Sequence, residues 1–287
     1  MSQRDAKSKA RRGLVALGGA TSRKAAPKTG TVWLVGAGPG DPELLTLKAL
    51  KALQAAQVVV HDGLVTHEIL DLAPSNARRI SVAKRKSRHS YSQDEINRML
   101  VAFALDGLNV VRLKGGDPFM FGRGGEELEA ARAAGVPCHV IPGVTAALAA
   151  GASAGAPLTH RGSAQAVTFV TGHAAKGGEP DLDWTALAKA NQTVVIYMGL
   201  SMAAPIAARL MAAGRDAATP ALIVENASRA NERRVVTTLS GLAEAAGALS
   251  GPALLILGEA MALAHASEGM AGEGAASIET LLTEARA

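Results

Sequence analysis

The sequence predicts an α/β protein of two domains. Three observations carry this. The chain of 287 residues is too long for one minimal core and suits two units of roughly 120 residues. Short Val/Ile/Leu-rich runs alternate with helical patterns, as in a largely parallel sheet with helices on its faces. Several of those runs end in glycines, where open α/β sheets bind ligands.

In the first half, strands are expected at 31–36, 57–61, 79–83, 109–113 and 137–141, and helices at 43–55, 92–106, 124–134 and 143–151. Gly135 suits the position just past the third helix. "AGASAGAPLTHRGSA" is rich in Gly, Ala, Ser and Pro and reads as a connection near 152–164. Beyond it, strands are expected at 166–171, 193–198, 220–225, 233–238 and 253–257, with helices at 183–190, 201–213 and 240–248. "ENASRANERRVV" reads as a hairpin, so this half is expected to be mixed. The expected organisation is a disordered basic tail over 1–29, domains over 30–155 and 156–264, and a flexible end over 265–287 with a short helix at 276–285.

The net charge of +5 is concentrated at one end. Residues 1–29 hold eight Lys/Arg and one Asp, leaving 22 basic and 24 acidic residues elsewhere, net −2. The body therefore gives no electrostatic case for nucleic acid. No apolar run reaches the roughly 18 residues of a membrane span. "ARRGLVALGGA" is too short in its apolar part for a strong export signal. The single cysteine, Cys138 in "VPCHVI", reads as a small buried hydrophobe and suits a reducing, cytoplasmic setting. The histidines show no metal-ligand spacing, and no metal is expected.

"TVWLVGAGPGDPELLTLKAL" resembles the start of a dinucleotide-binding unit, but its spacing is G-x-G-x-G. Pro39 removes an amide donor, Pro42 suits the first helical position, and Asp41 suits the cap before it. Asp41 also places negative charge where a phosphate would sit. The loop admits close approach of a neutral or cationic ligand and disfavours a pyrophosphate. "VVRLKGGDPFMFGRGGEELE" adds a turn at Gly115, Gly116, Asp117 and Pro118 after a strand ending at Lys114, and "IPGVTAALAA" a third, where Thr145 offers a hydroxyl and Ala146 room. Three such turns on one edge suffice to enclose a small ligand.

These stretches, with "PLTHR", "VTGH" and "YMGL", resemble the tetrapyrrole methylases, and within them the uroporphyrinogen-III C-methyltransferase branch. The resemblance runs over about 30–263. It implies two α/β domains of the tetrapyrrole methylase type with S-adenosylmethionine in the cleft between them, usually as a homodimer. A sulfonium cation without phosphate explains why an Asp and two prolines sit in the glycine loop. The implied reaction moves two methyl groups to C2 and C7 of uroporphyrinogen III, giving precorrin-1 and then precorrin-2, and releases S-adenosylhomocysteine. No dehydrogenase/ferrochelatase segment accompanies it, so methylation alone is expected. By the same resemblance, Pro39, Gly115, Gly116, Asp117, Met120, Thr145, Ala146, Met198 and Ala227 contact the donor. Relatives carry Ile or Val at Met120 and Gly at Ala227, and Arg or Ala at Gly63.

The substrate is a polycarboxylate, so arginines should line its pocket. Arg85 in "AKRKSRHSY", Arg123 and Arg161 are the candidates, with Glu126 beside Arg123 as binder or base. The family pattern assigns proton transfer to Asp62 and Lys84, with Arg123 as a further catalytic candidate. Asp62 equally suits a cap on the turn that follows it. The competing expectations are another enzyme of this fold (a later precorrin methylase, a diphthine synthase or a ribosomal-RNA 2′-O-methyltransferase) and a non-catalytic nucleotide-binding module.

Overall fold

The computed structural model describes residues 29–83, 91–174 and 178–267. Lys84, Arg85, the basic tail to residue 28 and the expected helix at 276–285 lie outside the described residues.

The first half is a five-stranded, all-parallel sheet of β1 (Val32–Gly36), β2 (Val58–His61), β3 (Arg78–Ser81), β4 (Val110–Lys114) and β5 (Cys138–Ile141), in the order β3-β2-β4-β1-β5. Helices α1 (Leu47–Gln54), α2 (His67–Leu70), α3 (Gln93–Leu105) and α4 (Gly124–Ala133) cover its faces. Side chains alternate along each strand. Thus Val35, Val59 and Val111 meet α1 and α2, whereas Val32, Leu34 and Val60 meet α3 and α4. Ser92 and Glu95 form a reciprocal capping box that starts α3. Gly135, at φ 69°, ends α4 in a Schellman turn: its N–H reaches Arg132 O at 3.0 Å and that of Val136 reaches Ala131 O at 2.9 Å. Cys138 is half-buried, and burial pushes its thiol up to about 11. A thiol so protonated is inert at neutral pH.

The second half is a mixed sheet. Its strands are β6 (Ala166–Thr171), β7 (Gln192–Tyr197), β8 (Pro220–Glu225), β9 (Arg233–Thr238) and β10 (Ala253–Leu257), ordered β6-β7-β10-β8-β9. Only β6 and β7 pair in parallel, and β8 and β9 form the expected antiparallel hairpin. Helices α6 (Trp184–Leu187), α7 (Ala203–Ala212) and α8 (Leu242–Gly247) cover one face. The other receives α5 (Ala146–Ser153), whose Ala147 and Ala150 pack with Val195, Leu222 and Ile256. The connecting segment is itself packed there, with Ala154, Ala156 and Ala164 buried.

The expected helix at 43–55 is split. Pro42–Leu44 form a 3-10 turn capped by Asp41, whose carboxylate accepts from Glu43 N at 2.8 Å. The α-helix starts only at Leu47, after Thr46 takes up extended backbone and accepts from Ala49 N. A second cap residue five positions after the first decided the split. The short α2 and a 3-10 turn over Glu259–Leu263 were not expected; both are too brief to show helical periodicity.

The three glycine turns meet at the carboxyl edge of the first sheet. Gly38 and Gly116, both at left-handed φ, exchange hydrogen bonds of 3.1 and 2.7 Å beyond the ends of β1 and β4. A Cβ on Gly143 would stand 2.3 Å from Gly116 O, and one on Gly36 2.5 Å from Gly143 N. The Asp117 carboxylate accepts from Gly143 N at 3.0 Å and Phe119 N at 2.8 Å. Gly143→Ala is therefore expected to cost about 1–3 kcal/mol, read from urea unfolding; an unchanged midpoint would show that these turns are not in contact.

Candidate functional site

A cleft of about 430 Å³ opens beside these turns and takes lining residues from both sheets. All nine residues expected to touch the donor (Pro39, Gly115, Gly116, Asp117, Met120, Thr145, Ala146, Met198 and Ala227) line this one cleft, although the sequence spreads them over almost 190 positions. Asp62 and Arg123 line it too. Glu126 does not, but it grips Arg123 through two 2.7 Å hydrogen bonds. Arg161 is exposed in the turn between His160 and Ala164 and is not part of the lining.

The first loop offers few amides to a phosphate. Positions 39 and 42 are prolines, Asp41 N donates to Ser228 Oγ at 3.3 Å, and Glu43 N is taken by Asp41. The glycine-rich loops that cradle phosphates depend on several unpaired N–H groups. Here two positions lack an N–H and the amides of Asp41 and Glu43 are spent within the protein.

Asp62 follows β2 directly. Its Oδ1 accepts from Leu64 N at 2.9 Å and its Oδ2 from Gly115 N at 3.2 Å. The turn-capping role is thus filled, and the same bonds fix the carboxylate at the cleft wall. Thr145 stands at the N-terminal end of α5 without a side-chain cap bond; its hydroxyl lies 2.6 Å from Tyr197 Oη, and Ala147 N donates to that same oxygen at 3.2 Å. Burial raises the Tyr197 phenol. Phe121 meets Tyr197 at 5.0 Å between ring centroids, so the second glycine turn touches β7. Ala227 is buried, its methyl packed in the second sheet's core.

Four large apolar side chains that stay exposed, Leu64, Tyr91, Phe121 and Met198, line the cleft. Met198 is 52% exposed at φ 56° and Phe121 37% at φ 51°. Arg123 and Asn226, also in the lining, share this left-handed backbone. Strained non-glycine residues gather at functional sites more often than elsewhere.

Sequence reasoning missed the floor. Arg112 and Lys114 alternate along β4 and therefore point to the same face. Both reach Glu127 on α4: Arg112 Nε at 2.9 Å and Lys114 Nζ at 3.1 Å from Oε1. Glu127 Oε2 also lies 3.1 Å from Lys114 Nζ, though without a well-directed hydrogen bond. Gln93 of α3 adds a 3.3 Å bond to Glu127, and Arg112 Nη2 stands 3.9 Å from Asp62. The signal was available: two cations at alternate positions of an otherwise apolar strand, "VVRLK", demand a buried counter-charge. Tyr197 and Arg229 also line the cleft and carried no such signal. Among the described residues, no three His, Cys, Asp or Glu side chains are grouped to hold a metal, and no helix is long and apolar enough to cross a membrane.

Two α/β sheets with a glycine-walled cleft lined from both define a class, and the chain belongs to the tetrapyrrole (corrin/porphyrin) methylases, whose family pattern matches residues 31–243. Among individual proteins, it is 52% identical over 236 residues to siroheme synthase 1 of Yersinia enterocolitica, covering 82% of this chain and 50% of that one. It is 54% identical over 236 residues to siroheme synthase 1 of Serratia proteamaculans, covering 82% and 49%. The chain thus spans about half the length of the curated relatives it matches. Among solved structures, the uroporphyrin-III C-methyl transferase of Thermus thermophilus complexed with S-adenyl homocysteine superposes with a TM-score of 0.70 at 46% identity, covering 80% of this chain and 98% of that one.

Lys114 is held below its ordinary value of 10.5, first because burial strips water from the ammonium and second because Arg112 repels it; Glu127 opposes both. The folded chain therefore binds this proton less tightly than the unfolded chain does. Stability is reduced at neutral pH, and the loss fades as pH climbs toward 10.5. The unfolding free energy of the wild type minus that of Lys114→Met should accordingly rise between neutral pH and 10.5. A flat difference in urea titrations would show that Lys114 is not desolvated.

Proposed function

We propose that this chain methylates uroporphyrinogen III twice, at C2 and C7, yielding precorrin-2 by way of precorrin-1. The single observation that supports this most strongly is the convergence of nine scattered donor-contact residues on one cleft. A volume of about 430 Å³ suits a molecule of this size. The consumed amides suit a ligand without phosphate. S-adenosylmethionine, when bound, supplies an electrophilic methyl group on a sulfonium whose leaving group is a neutral thioether. The T. thermophilus neighbour was crystallised with the corresponding product, S-adenosylhomocysteine.

The protein's own residues have three tasks. Pro39, Gly115, Gly116, Asp117, Met120, Thr145, Ala146, Met198 and Ala227 hold the donor, mostly through backbone that lacks obstructing side chains. Leu64, Tyr91, Phe121 and Met198 offer an apolar lip to the pyrrole rings of the macrocycle and exclude water. Arg123 meets its carboxylates, with Glu126 holding its guanidinium until they arrive; Arg85 and, from outside the cleft lining, Arg161 are the further substrate-binding candidates. Arg123 is well placed for exchange, since its bond to Glu126 is solvent-exposed and such pairs are weak.

Methylation at a pyrrole carbon leaves a proton to be removed. Asp62 takes it, or Lys84 does, and the amides of Leu64 and Gly115 keep Asp62 oriented for that role. Homodimeric assembly, a cytoplasmic location and the division into units over 30–155 and 156–264 belong to the same reading.

The test is to incubate the protein with uroporphyrinogen III and methyl-labelled S-adenosylmethionine and to count labels per macrocycle. Two are expected; none would remove the proposal. In the same assay Asp62→Asn should lower kcat on the order of 10²–10⁴-fold with little change in KM. A near-normal kcat would return Asp62 to a purely turn-capping part.

A further inference from the structure

We propose that Arg229 is a carboxylate-receiving residue of the cleft, built in advance to take an anionic group of a bound ligand. This rests on the reading above, in which both the methyl donor and the macrocycle carry carboxylates.

Arg229 stands in the turn between β8 and β9 and lines the cleft. It reaches across to the first half. Its Nη2 donates to Leu64 O at 2.7 Å and its Nε to Pro39 O at 3.4 Å. Its stem lies over Gly40, where a Cβ would come within 2.7 Å of Arg229 Cγ and 2.8 Å of Nε. Two fixed carbonyls and a bare glycine thus set the plane of the guanidinium before any ligand arrives.

What the guanidinium lacks is an anion. Three other cations buried in the described residues each have one: Arg112 and Lys114 share Glu127, and Arg215 has Glu259. Arg229 forms no ion pair among the described residues, and its Nη1 makes no hydrogen bond there. Carbonyl oxygens orient a cation without neutralising it. Burial accordingly pushes Arg229 down from the usual arginine range, and the field of Asp62 only partly offsets this. A half-buried cation without a partner is costly to keep. Its open side faces a cleft, and a guanidinium is the group best matched to a carboxylate.

The carboxylate can come from the amino-acid part of the donor or from the macrocycle, and calorimetric titrations separate the two. The probes are S-adenosylhomocysteine, 5′-methylthioadenosine (the same nucleoside without the amino-acid part) and oxidised uroporphyrin III. They are titrated into wild type, Arg229→Gln and Arg229→Lys.

If Arg229 receives the donor, Arg229→Gln weakens S-adenosylhomocysteine by at least about tenfold and leaves 5′-methylthioadenosine unchanged. If it receives the macrocycle, uroporphyrin III weakens by that factor and both nucleosides hold. Arg229→Lys, which keeps the charge but loses the fork, should fall between. Equal affinities in wild type and Arg229→Gln would overturn the inference while leaving the proposed function standing. So would parallel loss of 5′-methylthioadenosine, which would mark a purely structural clasp. A wild type that binds none of the probes would instead sink the proposed function, and this inference with it.

Discussion

The site depends on backbone meeting backbone. Gly36, Gly116 and Gly143 come from three different strand ends, yet each occupies space that a Cβ on its neighbour would need. Close approach of this kind is open only to glycine. The Asp117 carboxylate then ties the second turn to the third by accepting from Gly143 N, and shapes its own turn by accepting from Phe119 N. The two paired glycines at 38 and 116 tie the second turn to the first. Three loops that would otherwise move independently become one wall. Loops held by such a scaffold are where binding residues are usually found.

Charge is arranged in two layers behind that wall. The floor pair of Arg112 and Lys114 is buried and neutralised in part by Glu127, whose side chain is 0% exposed. Removing one member of such a cluster leaves an uncompensated charge, so it braces β4 against α4 more than it adds net stability. At the rim, Arg123 and Glu126 pair in the open, with side chains 56% and 48% exposed. A pair of that kind is cheap to separate. A polyanion arriving at the cleft therefore meets, besides Arg229, one paired cation free to change partner and two that are not.

The halves are joined across the cleft by few polar links. Ser228 accepts from Asp41, and Arg229 holds Pro39 and Leu64. On another side Phe121 packs on Tyr197, which is itself tied to Thr145 and Ala147. Several residues at these joints have left-handed backbone, among them Phe121, Met198, Asn226 and Ser228. The chain pays for that strain at the places where a ligand would need its backbone groups turned inward.

Much of this was legible from residue order. The central strands of both sheets (β1, β2, β4, β7, β8 and β10) could be read from Val/Ile/Leu runs, because a strand buried on both faces is largely apolar. The glycine turns and the phosphate-free character of the first loop followed from Gly38, Pro39, Asp41 and Pro42, since φ and donor count are properties of single residues. The break before Leu47 was not read, because Asp41 and Thr46 are both good caps and local propensity does not rank them. Residue order alone thus determined which backbone each segment takes and where the chain turns. Only the tertiary structure decided that Glu127 stands beneath Arg112 and Lys114, that α5 packs on the second sheet, and that Arg229 reaches the first glycine loop. The Arg229 contacts join residues up to 190 positions apart, and all three pairings are set by how whole elements pack in space, which no local pattern encodes.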